Sequence, residues 1–251
     1  MLASCDVFYF NERVFEKYKK CCIVLSMKKK SPKLFSVITL FPEVIEAYAN
    51  ASILGRAQKS GAIKVKAYQM RDASAHKWKQ VDFKPYGGGP GMVLEVPSVV
   101  KATEKAITAG KKKKTKVLIT SAGGKQFTNE YAKVLARKYE HIVIVCGRYE
   151  GIDARATKIL KGEEVSVGPY VLTGGEVPAL IILDATSRQV EGVLGKFDSL
   201  EEGRVASHDV YTRPEIFVHK KKKYAVPRVL LSGHHKKIEE YREQRRSQAK
   251  G

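Results

Sequence analysis

The sequence predicts an α/β protein built on a mostly parallel sheet, and three features predict it. Short uninterrupted β-branched runs recur through the chain (LFSVITL, KVLIT, HIVIVC), the composition of strands covered on both faces. Stretches of helical length separate them, so strands and helices alternate. The later runs each lead into a glycine-bearing loop: Ser121 to Gly124, Gly147 to Gly151, and Gly168 to Gly175. In parallel sheets ligands sit beyond the carboxyl ends of the strands. Loops there can offer backbone N–H and C=O groups to one small molecule, or the glycines can simply make turns.

Taken in order, residues 1–33 read as an N-terminal extension. Met1 to Ser26 mixes aromatics, charges and the Cys21-Cys22 pair without the apolar core of a secretory signal. Met27 is the expected natural start; the other reading is a short amphipathic helix packed on the body. Leu34 to Leu40 reads as a strand, and Pro42 opens a helix running to about Ala49. A second helix is expected from Ser52 to Ser60, stopped by Gly61. Ala62 to Gln69 alternates apolar and polar residues, as a half-exposed strand does. Arg71 to Lys84 shows no period and reads as loop. Pro85 to Met92 (PYGGGPGM) fits neither a dinucleotide fingerprint nor a phosphate loop. It offers backbone that a flat ligand or another chain can approach closely. Val96 to Ala109 reads as a helix and Lys111 to Lys114 as a basic loop. Lys116 to Thr120 reads as a buried strand, with helices over Asn129 to Lys138 and Lys236 to Gln248.

A chain of 251 residues can bury a sizeable core. Its net charge of +20 points to a polyanionic partner, nucleic acid ahead of an anionic membrane; lysine kept for solubility is the alternative. Cys5, Cys21, Cys22 and Cys146 form no CxxC pairs, so neither zinc nor a disulfide framework is indicated. A reducing cytoplasm fits that usage. No apolar run approaches the ~20 residues that cross a bilayer. His234 and His235 would diverge on a helix and have no spaced partners, so no metal site is expected.

In order along the chain, TLFPE, DFKPYGGGPGM, VCGRYEGID, VGPYVLTGGEVPA, Ser187-Arg188, EGVLG, DSLEEG and YTRPE resemble the bacterial tRNA (guanine-N1)-methyltransferases of the knotted SPOUT superfamily. The resemblance spans residues 34 to about 245. It implies a sheet domain over 34–190 whose carboxyl-terminal part threads a loop as a deep trefoil knot, an exception to unknotted connections. It implies a linker over 191–208, expected to close over the site when tRNA binds. A small helical, basic, tRNA-binding domain follows over 209–251, short relative to the family's. The implied assembly is a homodimer with the active site at the subunit interface. S-adenosylmethionine is the implied cofactor, with Mg2+ admissible beside it, and tRNA the substrate, methylated on the guanine immediately 3′ of the anticodon.

Matched residue by residue, the resemblance assigns three cofactor loops. Thr120, Ser121 and Ala122 form the first, where the family more often has a Leu-Ser-Pro-type sequence. Gly147, Tyr149, Glu150 and Gly151 form the second. Val167, Gly168, Pro169, Tyr170, Val171 and Leu172 form the third, continued by Gly174, Gly175 and Pro178. Pro169 departs from the family, where an acidic residue is usual, and proline removes an N–H donor. Guanine N1 must lose a proton before it attacks a sulfonium methyl, and a carboxylate of ordinary pKa is a mismatched base unless the guanine anion is stabilised. Asp198 matches the family's general base and Arg188 the arginine that holds O6 as charge builds there. The match at Asp198 needs a few linker residues to be missing, which keeps Glu201 and Glu202 open as substitutes. Another knotted RNA methyltransferase, acting on ribose 2′-OH or on ribosomal RNA, is one alternative; GGGPGM and YTRPE weigh against it. The other is a non-catalytic RNA-binding protein of the same fold, against which the retained Asp198, Arg188 and glycine loops weigh.

Overall fold

The computed structural model describes residues 31–111, 113–194 and 209–248. One five-stranded sheet organises the first two stretches, in the order β2-β1-β6-β5-β7. The strands are β1 (Lys33–Thr39), β2 (Ile63–Gln69), β5 (Thr115–Gln126), β6 (His141–Val145) and β7 (Glu163–Ser166). Every pairing in it is parallel, as uninterrupted apolar strands require. The two central strands, β1 and β6, are buried on both faces. Phe35, Val37, Ile142 and Ile144 face one side, with Ile38, Val143 and Val145 on the other.

Helices close both faces. On the first side lie α1 (Pro42–Ala49), α2 (Ser52–Lys59), α4 (Asn129–Lys138) and α6 (Glu176–Arg188), through Ile45, Leu54, Leu135 and Ile182. On the second lie α3 (Val96–Ala109), a 3-10 turn (Met70–Ala73) and α5 (Ala154–Ile159), through Val99, Ala102, Met70 and Ala156. Their ends follow from the sequence. Pro42 sits at the start of α1, where its missing N–H is not needed. The Thr128 hydroxyl accepts from Tyr131 N–H at the start of α4, with Glu130 in the first turn and Arg137 and Lys138 in the last. Asp153 accepts from Arg155 N–H to start α5.

The structure revises several expectations. The strand expected to end at Thr120 continues to Gln126, shifting register against β7 between Thr120 and Lys125. Ser121 and Ala122 therefore lie in a strand irregularity and not in a loop beyond the strand. The loop expected over 71–84 contains most of the 3-10 turn and β3 (Asp82–Phe83), which pairs antiparallel with β4 (Val93–Leu94). Residues 209–248, expected to be helical, also hold a hairpin of β8 (Ile216–His219) and β9 (Lys222–Ala225) ahead of α7 (Arg228–Leu231) and α8 (His235–Gln248). The hairpin's alternating residues are polar and apolar on both faces, so no single-face period announces it. The extension over 1–30 and the linker from 195 to 208 lie outside the described residues.

His141, at the start of β6, is fully buried. Its Nε2 lies 2.8 Å from the Ser36 hydroxyl and its Nδ1 lies 3.4 Å from that of Thr115. Burial, with a smaller push from Lys113, lowers its pKa to about 4. The unfolded chain binds that proton at about 6.5. The folded state is therefore the poorer proton binder between those values, so stability is complete above about 6.5 and falls as pH drops toward 4. Unfolding by denaturant at pH 7.5 and 4.5 should show a loss on the order of 2–3 kcal/mol beyond that of His141→Gln. Equal losses in both proteins would remove His141 as the cause.

Candidate active site

Beyond the carboxyl ends of β6 and β7, against the irregular stretch of β5, lies a cavity of about 480 Å³. That is within the ~300–1,000 Å³ usual for small-molecule sites. Three stretches wall it: Ile119 to Gly123, Gly147 to Ile152, and Glu164 to Val167 continuing through Tyr170 to Gly175 and Pro178. Most of this wall is backbone and small or apolar side chain. Glu150 and Glu164 supply carboxylates, and Arg148 a guanidinium.

Close backbone approach sets the shape. Gly175 N–H donates to Gly147 C=O at 2.7 Å, and Gly147 N–H to the Thr120 hydroxyl at 2.9 Å. A Cβ on Gly175 would come within 2.1 Å of Thr120 Oγ1 and 2.6 Å of Gly147 N, so no larger residue fits. Tyr149 holds a left-handed φ of 59°, a strained conformation for a side-chain-bearing residue, at the cavity's edge.

A buried carboxylate ties the loops together. Glu176, the first residue of α6, accepts from the Thr39 hydroxyl at 2.8 Å and from Arg148 Nε at 3.0 Å. Arg148 also donates to Thr173 C=O at 3.1 Å and stacks its guanidinium 4.6 Å over the Phe41 ring. The carboxylate thus joins the end of β1, the loop after β6 and the loop before α6. A buried charge is tolerable only when paired in this way. Cys146, beside it, is fully buried, and burial followed by the Glu176 charge pushes its thiol pKa well up. It is a packed core residue in the unreactive thiol form.

Of the expected cofactor residues, Thr120, Ser121, Ala122, Gly147, Tyr149, Glu150, Gly151, Val167, Tyr170, Val171, Leu172, Gly174, Gly175 and Pro178 all line the cavity. Gly168 and Pro169 do not. The turn folds on itself: the Tyr170 ring lies where a Gly168 Cβ would be, and the Ser166 hydroxyl donates to Gly168 C=O at 2.9 Å. Pro169 is left exposed outside the wall. Arg188 closes the 13-residue α6 at the end opposite Glu176, twelve positions further along the chain. At 1.5 Å rise per residue that is about 18 Å along the axis. Asp198, Glu201 and Glu202 lie outside the described residues. The Pro85–Met92 motif abuts the cavity loop: Glu150 N–H donates to Met92 C=O at 3.0 Å, and the Glu150 side chain occupies the space beside Gly91. Gly87, Gly88, Gly89 and Gly91 all adopt positive φ, which accounts for the glycines.

Sequence reasoning missed Arg148, Glu176 and Thr39 as a unit. The signal was present, a charged residue inside each glycine motif, but only the fold brings the motifs within hydrogen-bond distance. Among the described residues no cluster of three or more His, Cys, Asp or Glu could hold a metal, and no helix is long and apolar enough to cross a membrane.

A parallel α/β domain with a glycine-walled cleft at its strand ends has the arrangement in which such sheets commonly hold small ligands. The family model for tRNA (guanine-1)-methyltransferase TrmD matches residues 33–250, and the chain belongs to that family. A tRNA (guanine-N(1)-)-methyltransferase of Ruminiclostridium cellulolyticum is 46% identical over 214 residues, 84% of this chain and 89% of the relative. One from Clostridioides difficile is 42% identical over 212 residues, covering 83% and 90%. The crystal structure of tRNA (m1G37) methyltransferase from Aquifex aeolicus superposes with a TM-score of 0.70 at 38% identity, over 84% of this chain and 87% of that one.

Replacing Arg148 by Met leaves the Glu176 carboxylate buried with one donor. Chemical denaturation should show a loss of about 2–3 kcal/mol, below the usual cost of breaking a buried pair because Arg148 is partly exposed. Hydrogen exchange over 168–175 should speed up in the same variant; unchanged exchange there would show that the loop is held by other contacts.

Proposed function

We propose that this protein transfers a methyl group from S-adenosylmethionine to N1 of the guanine immediately 3′ of the anticodon in tRNA, in the cytoplasm. The glycine-walled cavity carries the reading, in a chain of this family. Its residues fit the cofactor. Ile119, Ile152, Val167, Leu172 and Pro178 give apolar walls for a base, and backbone from Gly147 to Gly151 and from Val171 to Gly175 can read its edge. Glu150 and Glu164 put negative charge in the cavity wall, which would suit a cofactor carrying a cationic sulfonium and ammonium. Gly168 and Pro169 shape the turn that carries Tyr170 and Val171 into the wall. The bound cofactor supplies an electrophilic methyl; this chain's residues bind, orient and deprotonate.

Asp198 is the proposed base that takes the N1 proton, leaving Glu201 and Glu202 as its neighbours in the linker. Arg188 holds O6 as negative charge moves there, which lowers the cost of using an ordinary carboxylate. The position of Arg188, about 18 Å along α6 from the cavity end, supports a shared site: one protomer binds the cofactor, and its partner delivers the arginine and the linker acid. The exposed apolar side chains Val44 and Tyr48 on α1, and Val177 and Ile181 on α6, support a face that a second copy covers. The same reading places the path from β7 through Gly175 into α6 within a trefoil knot. α6 packs between α4 and α1 there, back across the sheet from edge strand β7.

Mass analysis of nucleosides from unmodified tRNA incubated with protein and S-adenosylmethionine should yield 1-methylguanosine. Asp198→Ala should lower single-turnover transfer by at least a hundredfold. A 2′-O-methyl product, or transfer undiminished in that variant, contradicts the proposal.

A further inference from the structure

The five-stranded sheet leaves the outer edge of β2 open. β2 is its terminal strand, paired in parallel with β1 on one side only. In a parallel ladder, alternate residues turn both N–H and C=O to the same neighbour. Ala62 C=O accepts from Lys33 N–H, so Lys64, Lys66 and Tyr68 bond inward to β1, and the backbones of Ile63, Val65 and Ala67 point outward. Val65 N–H donates to Gln58 Oε1 of α2 at 3.0 Å. Among the described residues nothing accepts from Ala67 N–H, and nothing donates to the Val65 or Ala67 carbonyl. Such an edge is a template for a further strand.

The side chains beside that edge have one sign. Ile63, Val65 and Ala67 face the first side of the sheet, where α1 and α2 pack; Lys64, Lys66 and Tyr68 face the second. A groove of about 250 Å³ lies there between β2 and α3, with Tyr68 and Ala102 buried in it and Lys66, Lys101 and Lys105 exposed around it. Lys101 and Lys105 stand one turn apart on α3 and share its face. Lys66 Nζ lies 4.8 Å from the centre of the Tyr68 ring, which is only 8% exposed. Asp72 is the one acid in the groove, and Lys79 pairs with it at 3.3 Å.

We propose that the outer edge of β2 docks an acidic, extended segment of a partner protein, which adds a strand to the sheet and sets alternate carboxylates against Lys64, Lys66, Lys101 and Lys105. The site is independent of the methyl-transfer reading. Main-chain hydrogen bonds give such a strand its affinity, and its alternate side chains give selectivity. Charge chooses the occupant. A second copy would bring its own Lys64 and Lys66 to the same edge, and like charges directly opposed repel. Single-stranded RNA gains from exposed rings on which its bases stack, and the covered Tyr68 offers none. Phosphate oxygens only accept, so they leave the Val65 and Ala67 carbonyls unmet; a strand brings donors and acceptors in register.

The test uses the full chain and a labelled peptide of sequence Glu-Val-Glu-Val-Glu-Val-Glu, with fluorescence anisotropy for affinity and amide hydrogen exchange at Ala67 for geometry. The peptide should bind saturably and slow exchange of the Ala67 amide. Glu-Val-Glu-Pro-Glu-Val-Glu has the same charge but a broken ladder, and should bind roughly tenfold more weakly. Lys66→Glu/Lys101→Glu should weaken binding of the first peptide roughly tenfold while keeping the thermal midpoint of the unmodified protein. Ala67→Pro removes the outward N–H at an edge position where proline is tolerated, and should weaken it comparably. Equal affinity for the two peptides overturns the proposal, because charge alone would then account for binding. Absence of peptide binding, or an Ala67 amide unaffected in the complex, also overturns it. So does binding of octauridylate in place of the peptide that Lys66→Glu/Lys101→Glu abolishes, since the groove would then take RNA. A sedimenting mass that rises with concentration and fails to rise in Ala67→Pro overturns it as well, because the edge would then join copies of this chain.

Discussion

A single buried carboxylate holds the cleft open in the right shape. Glu176 accepts from Thr39 and Arg148, and through them the end of β1, the loop after β6 and the loop before α6 meet at one point. Each of those loops is glycine-rich and would otherwise be free to collapse or splay. A charge sealed from water is costly unless every lone pair finds a donor, so the three segments are obliged to remain where their donors reach it. Gly175 adds the second constraint. Its backbone lies so close to Gly147 and Thr120 that no Cβ fits between them. The carboxylate sets where the loops go, and the glycine sets how near they come.

The same geometry separates binding from chemistry. The cavity is lined largely by main chain and apolar side chains, which suits recognition of a neutral base and offers few groups able to move a proton. Arg188 lies at the far end of α6. The proposed active site assembled from two copies would reconcile these facts, because a second α6 could present its arginine beside the first protomer's cavity.

Much of the fold was legible in the sequence. Val96–Ala109 and Asn129–Lys138 fall where periodicity and end signals place them, because Pro97 and Thr128 mark their starts locally. The central strands were equally plain, since burial on both faces leaves an unbroken apolar run. What failed depended on distant partners. The extension of β5 to Gln126 is imposed by pairing with β7, and nothing in Ser121-Ala122-Gly123-Gly124 favours a strand. The β8–β9 hairpin lacks a hydrophobic period because neither face is buried, and its Lys-Lys turn is the reverse of a turn signature. Within the site, glycine loops pointed to the cavity from sequence alone. Gly168 and Pro169 fell outside it because the Tyr170 ring folds back over them. The Thr39–Glu176–Arg148 node could not be seen, since its members are 28 and 137 residues apart in sequence from one another.

The most direct measurement of the central claim is a methyl-group NMR titration of the protein with S-adenosylmethionine alone. Ile119, Ile152, Val167, Val171 and Leu172 surround the cavity and carry the reporting methyls. Saturable shifts confined to these residues and their loop neighbours are the predicted result. Unperturbed signals from all five, with shifts appearing elsewhere or not at all, would contradict it.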